Sequence, residues 1–303
     1  MRRFVIIALF CALWPTNAAA QGFIAESGSL FLKAEYASWS ADQRYAGIFD
    51  RNRRTGTEPG DPIEFDSSTG GEFTSRSFAL TAELVPVRQV RVGVYFPAWQ
   101  QSSFRDLAFD STTTGTGDVW LHAGYGLVET TSTGTAVDLI GKIPTTTLPA
   151  EFQNVPLSEG QFDIGLQHTT SWRPVDRIQL DLRTLYRHRR PFEEGDRSIK
   201  PGDEFEVGLG AGVGVSAFWF GAGYEGLWSQ GTEDRSSAGA ITLSERRQIH
   251  EARASVYVAL GKWIGGFARG FAIDVGARAP LGGQDYPRGL KWRAGLAWST
   301  VLW

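Results

Sequence analysis

Charged side chains recur in this sequence singly, each flanked by apolar residues at alternate positions. Lys33 and Glu35 interleave with Leu32, Ala34 and Tyr36, Glu83 sits between Ala82 and Leu84, and Arg91 sits between Val90 and Val92. The pattern returns at Lys142, Asp163, Asp181, Arg183, Arg187, Glu206, Glu225, Glu251, Arg253, Asp274, Arg278 and Arg293. Groups of both signs in near balance could pair into a network that rigidifies and plugs an interior. Segregated onto facing walls, they could instead set up a field that orients a passing solute. The sequence leaves both readings open.

Acyl-transfer catalysis would need a His and a Ser held together by a third group. The histidines are His122, His168, His188 and His250. His168 precedes Thr169-Thr170 and shares the parity of Phe162, Ile164 and Leu166, which places it towards a lipid interface. His188 lies in the basic run 187–190, and His250 and Glu251 point to opposite faces. No catalytic residue is expected, and no metal spacing, phosphate loop or cofactor fingerprint appears, so neither a metal nor a cofactor is expected.

A lone charge inside a period of two reads as a strand with one apolar and one polar face. Such segments begin near 29–40, flank 86–89, and continue through Val119 to Leu127, Val137 to Ile143 and Phe162 to Gln167. They go on through Ile178 to Arg187, both halves of the stretch around Ser216, Ala252 to Val258, Phe271 to Arg278 and Lys291 to Trp298. The links between them alternate. Short ones fall at 86–89, 130–134, 174–177, near 216 and at 261–266; long ones fall near 41–72, 100–116, 146–159, 190–202, 230–244 and 280–289. The fold expected is all-β: a transmembrane antiparallel up-and-down β-barrel of about twelve strands, with short turns on the periplasmic side and long loops outside.

The N-terminus sets the compartment. Arg2 and Arg3, the apolar run from Phe4 to Trp14 and the small residues Ala18 to Ala20 read as a signal peptide over 1–20, leaving 21–303 as the barrel. The run is too short for a spanning helix, which needs about 20 residues. Cys11, the one cysteine, falls inside it. Loss of Arg2 and Arg3 from a chain with 30 basic and 33 acidic residues leaves the remainder mildly acidic, unlike a nucleic-acid binder.

A soluble β-barrel would show the same alternation. Aromatic residues towards strand ends, among them Tyr36, Trp39, Phe96, Trp172, Tyr186, Trp228, Trp263, Trp292 and Trp298, favour the girdles of a membrane barrel instead. The expected location is the bacterial outer membrane, with its lipid as one partner and the barrel assembly machinery as another. Trp303 resembles the terminal aromatic signal read by that machinery, although its parity matches Arg293 and would need a bulge near Ser299 to reach the apolar face.

Gly117-Asp118-Val119 opening a strand, Gly141-Lys142-Ile143-Pro144-Thr145 closing one and Leu157-Ser158-Glu159-Gly160-Gln161-Phe162-Asp163 opening the next resemble an outer-membrane family named for a meta-pathway of phenol degradation. Thr146 and Ser158 stand where that pattern commonly has glycine. The resemblance implies an outer-membrane channel or uptake protein for small molecules, with aromatic or hydrophobic compounds as the solute class, and it brings no catalytic residues. The alternative is a structural or partner-binding barrel acting through its outside loops, above all 41–72 with Arg51, Arg53, Arg54, Asp61, Glu64 and Asp66.

Overall fold

The computed structural model describes residues 26–302 apart from 46–56, 58, 60, 65–70, 107–108, 146–159, 195–196, 232, 237–240, 244–245, 265–268 and 285. The expected export segment, Trp303 and most of the 41–72 loop lie outside the described residues.

Twelve long strands run up and down in chain order. They are β1 (Ser29–Tyr45), β3 (Glu72–Val87), β4 (Val90–Asp106), β6 (Val119–Glu129), β7 (Thr133–Ile143), β8 (Asp163–Val175), β9 (Ile178–Arg189), β12 (Glu204–Val215), β13 (Phe218–Ser229), β16 (Arg247–Ala259), β17 (Phe271–Gln284) and β18 (Tyr286–Val301). Each pairs antiparallel with the next, and β18 returns to β1 from Ser29↔Val301 to Tyr45↔Tyr286. Closure leaves no sheet edge, which is what a strand protein needs in hydrocarbon, where an unpaired backbone group costs several kcal/mol.

Six short strands accompany them among the described residues. β2 (Pro62–Glu64) extends the sheet beside β1, and β5 (Phe109–Gly115) folds back on the upper part of β4. β10 (Phe192–Glu194), β11 (Arg197–Lys200), β14 (Glu233–Ser236) and β15 (Ile241–Leu243) form a separate sheet from two neighbouring long links.

Two of the expected loops are strand. β4 runs on to Asp106 and returns as β5, and β17 and β18 meet across residue 285. Residues 100–116 lack apolar alternation because the hairpin rises past the apolar band. Its rungs are held by backbone pairing of β4 with β5 and by Gln101 Nε2 donating to Thr114 Oγ1 at 3.4 Å, and on its other side β3 adds hydroxyl contacts such as Ser75 Oγ to Ser102 Oγ at 3.1 Å and Thr74 Oγ1 to Ser103 Oγ at 3.3 Å. Residues 280–284 pair with β16 while 286–290 pair with β1. The short links at 86–89, 130–134, 174–177 and near 216 are as expected, and two of them place a non-glycine residue at positive φ, Gln89 at 71° and Ser216 at 56°; the link expected at 261–266 lies partly outside the described residues. The register of β18 on β1 runs unbroken through Phe31↔Ser299, so there is no bulge near Ser299.

The two faces are inverted relative to a water-soluble protein. The largest fully buried side chains are Lys142, Gln179, Thr169, Asp138, Asp163, Asp274 and Ser171, whereas Leu166, Leu139, Leu209, Val275 and Leu296 are exposed. Apolar residues must therefore be covered by lipid. On β9 the outward side chains Ile178 to Tyr186 span about 26 Å along the strand, or about 20 Å along the normal at a tilt of about 40°, close to the apolar band of outer-membrane barrels. Trp172, Phe218 and Trp263 lie at the short-turn end, and Phe162, Tyr186, Phe205 and Trp292 lie towards the other.

Two outcomes check this orientation. Val275→Arg places a charge against lipid and should lower the unfolding free energy in bilayers by about 2 to 4 kcal/mol, while Ser77→Arg, which enters the interior, should cost clearly less. Cysteine at Ser198 should react with an impermeant thiol reagent on intact cells, and cysteine at Asp176 should not. The opposite labelling would invert the barrel.

Candidate functional site

Strand parity sends one ionisable side chain or more from every barrel strand inward, and the structure shows how they meet. Lys33, Glu35, Asp274 and Arg293 close a four-membered ring across β1, β17 and β18. Lys33 lies 2.6 Å from Glu35 and 2.9 Å from Asp274, and Arg293 lies 2.7 Å from Glu35 and 3.2 Å from Asp274.

A second chain of contacts runs through β12, β9, β13, β16, β17 and β18. Glu206 accepts from Arg183 at 3.0 Å, and Glu225 gathers Arg183, Arg253 and Arg278 at 3.9, 3.2 and 2.7 Å. Glu251 then bridges Arg278 at 3.6 Å and Lys291 at 2.7 Å. On the far wall Arg91 donates in bidentate fashion to Asp138 at 2.7 and 2.6 Å, and His122 lies 3.2 Å from Glu83. Asp181 differs from the other candidates: Ser171 and Gln179 donate to its carboxylate at 2.7 and 2.5 Å.

Of the residues that carry the family resemblance, Asp118, Lys142 and Asp163 converge, while Thr146, Leu157, Ser158 and Glu159 lie outside the described residues. Lys142 stands 3.5 Å from Asp118 and 2.9 Å from Asp163, and Asp163 is 3.6 Å from Arg187 and 4.0 Å from Arg189. Both arginines also pair with Glu204, Arg189 at 3.0 Å. Arg187 lies over the Trp120 ring at 5.0 Å. Gly117 lets Asp118 enter this cluster, because a Cβ there would come within 2.7 Å of Gln100 Oε1 and 2.9 Å of Pro97. Thr145 Oγ1 ties the segment down by donating to the Gly117 carbonyl at 2.9 Å. Just outside the strands, desolvation opposes but does not overcome the Tyr186 hydroxyl, the Arg189 N–H and His188, which hold the Asp203 carboxyl below the usual carboxylate range.

Between these clusters lies a cavity of about 280 Å³, lined by Trp39, Ser75 and Ser77 on β1 and β3 and by Asp181, Gly210, Trp219 and Arg253 across the barrel. Below it Phe31, Tyr257, Ala272 and Ala297 form an apolar cluster against which Trp219 packs.

The interior candidates from the sequence are thus all buried or half-buried. Parity also assigns Asp138, Glu204 and Lys291 to the polar faces that carry Lys142, Glu206 and Arg293, and the basic run puts Arg189 near the strand end. Sequence reasoning missed Asp118 and His122 as interior residues; parity would have placed His122, whereas Asp118 stands before its strand begins. Trp39 is a correction. It was assigned to a lipid girdle, but it shares the parity of Lys33 and Glu35 and lies inside, with Lys291 Nζ 4.4 Å from its ring. Of the other histidines, His168 contacts Thr170 Oγ1 at 3.1 Å beside the exposed Leu166, and His250 contacts the Tyr224 hydroxyl at 2.5 Å.

The model of the family described as "Putative MetA-pathway of phenol degradation" matches residues 63–291. No curated protein matches the chain. Among solved structures, an outer membrane channel from Pseudomonas putida F1 superposes with a TM-score of 0.72 at 13% identity, over 95% of this chain and 99% of that one. A deltaS2S3 mutant of the TodX monoaromatic hydrocarbon channel gives 0.49 at 11% identity over 95% and 93%, and a Pseudomonas aeruginosa FadL homologue gives 0.48 at 10% over 96% and 96%. At such identities the likeness to the first is one of fold.

The Arg91–Asp138 pair yields an energetic prediction. Asp138→Ala strands a buried guanidinium and should cost about 3 to 5 kcal/mol, whereas replacing both partners, Arg91→Met with Asp138→Leu, should recover most of that loss. Equal losses in the single and double variants, by denaturant titration, would show that the pair is not the source of the cost.

Proposed function

The chain belongs to the MetA-pathway phenol-degradation family, and from that membership we propose that it lets small molecules cross the bacterial outer membrane passively through its charged interior, with aromatic or otherwise hydrophobic compounds as the favoured class. The observation that carries the reading is the cavity midway through a closed twelve-strand barrel. Such a barrel is wider than the eight-strand ones that side chains fill and narrower than porins of sixteen strands. Passage is therefore for small solutes, past side chains that hold one another in place.

A second reading has one observation in its favour. The sheet of β10, β11, β14 and β15 gives two outside loops a defined surface, which suits a barrel that binds a partner there. Assembly by the outer-membrane machinery belongs to either reading.

Reconstitution separates them. Proteoliposomes should take up a small aromatic solute several-fold faster than protein-free vesicles, and deleting 192–200 and 233–243 should leave that rate unchanged. Vesicles no leakier than the blank, with the barrel folded, would move the function to the loop sheet.

A further inference from the structure

The central cavity differs from the rest of the interior in the charges that face it. Arg253, Arg278, Lys291 and Arg293 line it, and Asp181 is the one carboxylate among the described residues that do. The acids that hold these cations do not line it: Glu225 takes Arg253 and Arg278, Glu251 takes Lys291, and Glu35 and Asp274 take Arg293.

Two indoles share the space. Trp39 lies beneath the Lys291 ammonium, and Trp219 occupies the room left by Gly214, where a Cβ would come within 2.7 Å of its ring. Small-molecule sites combine apolar and aromatic walls with a few placed polar groups. A neutral ring would meet the indoles but make no use of the charged wall, and a cationic ligand would meet repulsion from four cations facing a single carboxylate.

We infer that this cavity is a binding site for a small aromatic carboxylate, with its ring against the indoles and its carboxylate on the Arg253, Arg278, Lys291 and Arg293 wall. The inference rests on the channel reading and names its substrate class. The volume of about 280 Å³ lies at the lower edge of the 300–1,000 Å³ usual for ligand pockets, which limits the ligand to about one ring.

The test uses the full barrel in detergent micelles, titrated with benzoate, benzyl alcohol and benzylammonium and read by tryptophan fluorescence and calorimetry. Benzoate should bind at least tenfold more tightly than either relative. Lys291→Gln and Arg253→Gln should each weaken benzoate at least fivefold and leave benzyl alcohol unchanged, with strand content and unfolding temperature followed in parallel. Asp181→Asn, which removes the opposing carboxylate, should tighten benzoate and stands as the test if a cation variant fails to fold. Benzyl alcohol or benzylammonium binding as tightly as benzoate would overturn the assignment, and so would benzoate affinity indifferent to Lys291 and Asp181. Proteoliposome flux of the same solutes separates the two claims. Benzoate binding without flux keeps the site and removes the channel, while flux of all three without benzoate preference keeps the channel and removes the site.

Discussion

Charge compensation inside a closed sheet is the constraint on which the rest of this structure depends. Lipid claims the apolar face of every strand, so the polar face must turn into a space that twelve strands make narrow. Charges there cannot rely on bulk water, and an ion transferred alone from water costs several kcal/mol even after relaxation. The solution is distributed. Every barrel strand contributes at least one ionisable side chain to the interior pairs, and Glu225 alone serves three arginines from three strands. The ring of Lys33, Glu35, Asp274 and Arg293 spans the point where β18 closes on β1, so side-chain pairing reinforces the backbone closure there.

Alternation made most of this legible in the sequence. A period of two fixes which face a residue joins, and in a barrel the face decides between lipid and interior; Lys142 and Asp274, on the polar face by parity, are buried. Partner choice was not legible, because it depends on register and on strands far apart in sequence. Lys33 meets Asp274, 241 residues away, through the closure of the barrel. The extra-membrane hairpin at 100–116 was missed for a related reason: away from lipid a strand needs no apolar face, and serine and threonine on both sides hide it. Trp39 departs from the girdle expected of an aromatic near a strand end because its parity, that of Lys33 and Glu35, turns it inward.

The family motif acquires a physical meaning in this frame. Asp118, Lys142 and Asp163 are separated in sequence by a turn and a long link, yet they share one cluster with Arg187, Arg189 and Glu204. Gly117 permits the close approach of Pro97 and Gln100 that lets the chain turn Asp118 inward. Towards the other end the interior holds an apolar cluster of Phe31, Tyr257, Ala272 and Ala297 with Trp219 packed against it.

The central claim is that these paired charges narrow a water-accessible passage without sealing it. Single-channel recording of the purified barrel in planar bilayers tests it most directly. The account predicts discrete conductance steps well below those of sixteen-strand porins, with a reversal potential that moves towards cation selectivity when Arg183 is replaced by Glu. A folded barrel that stays silent at every voltage, in both forms, would contradict it.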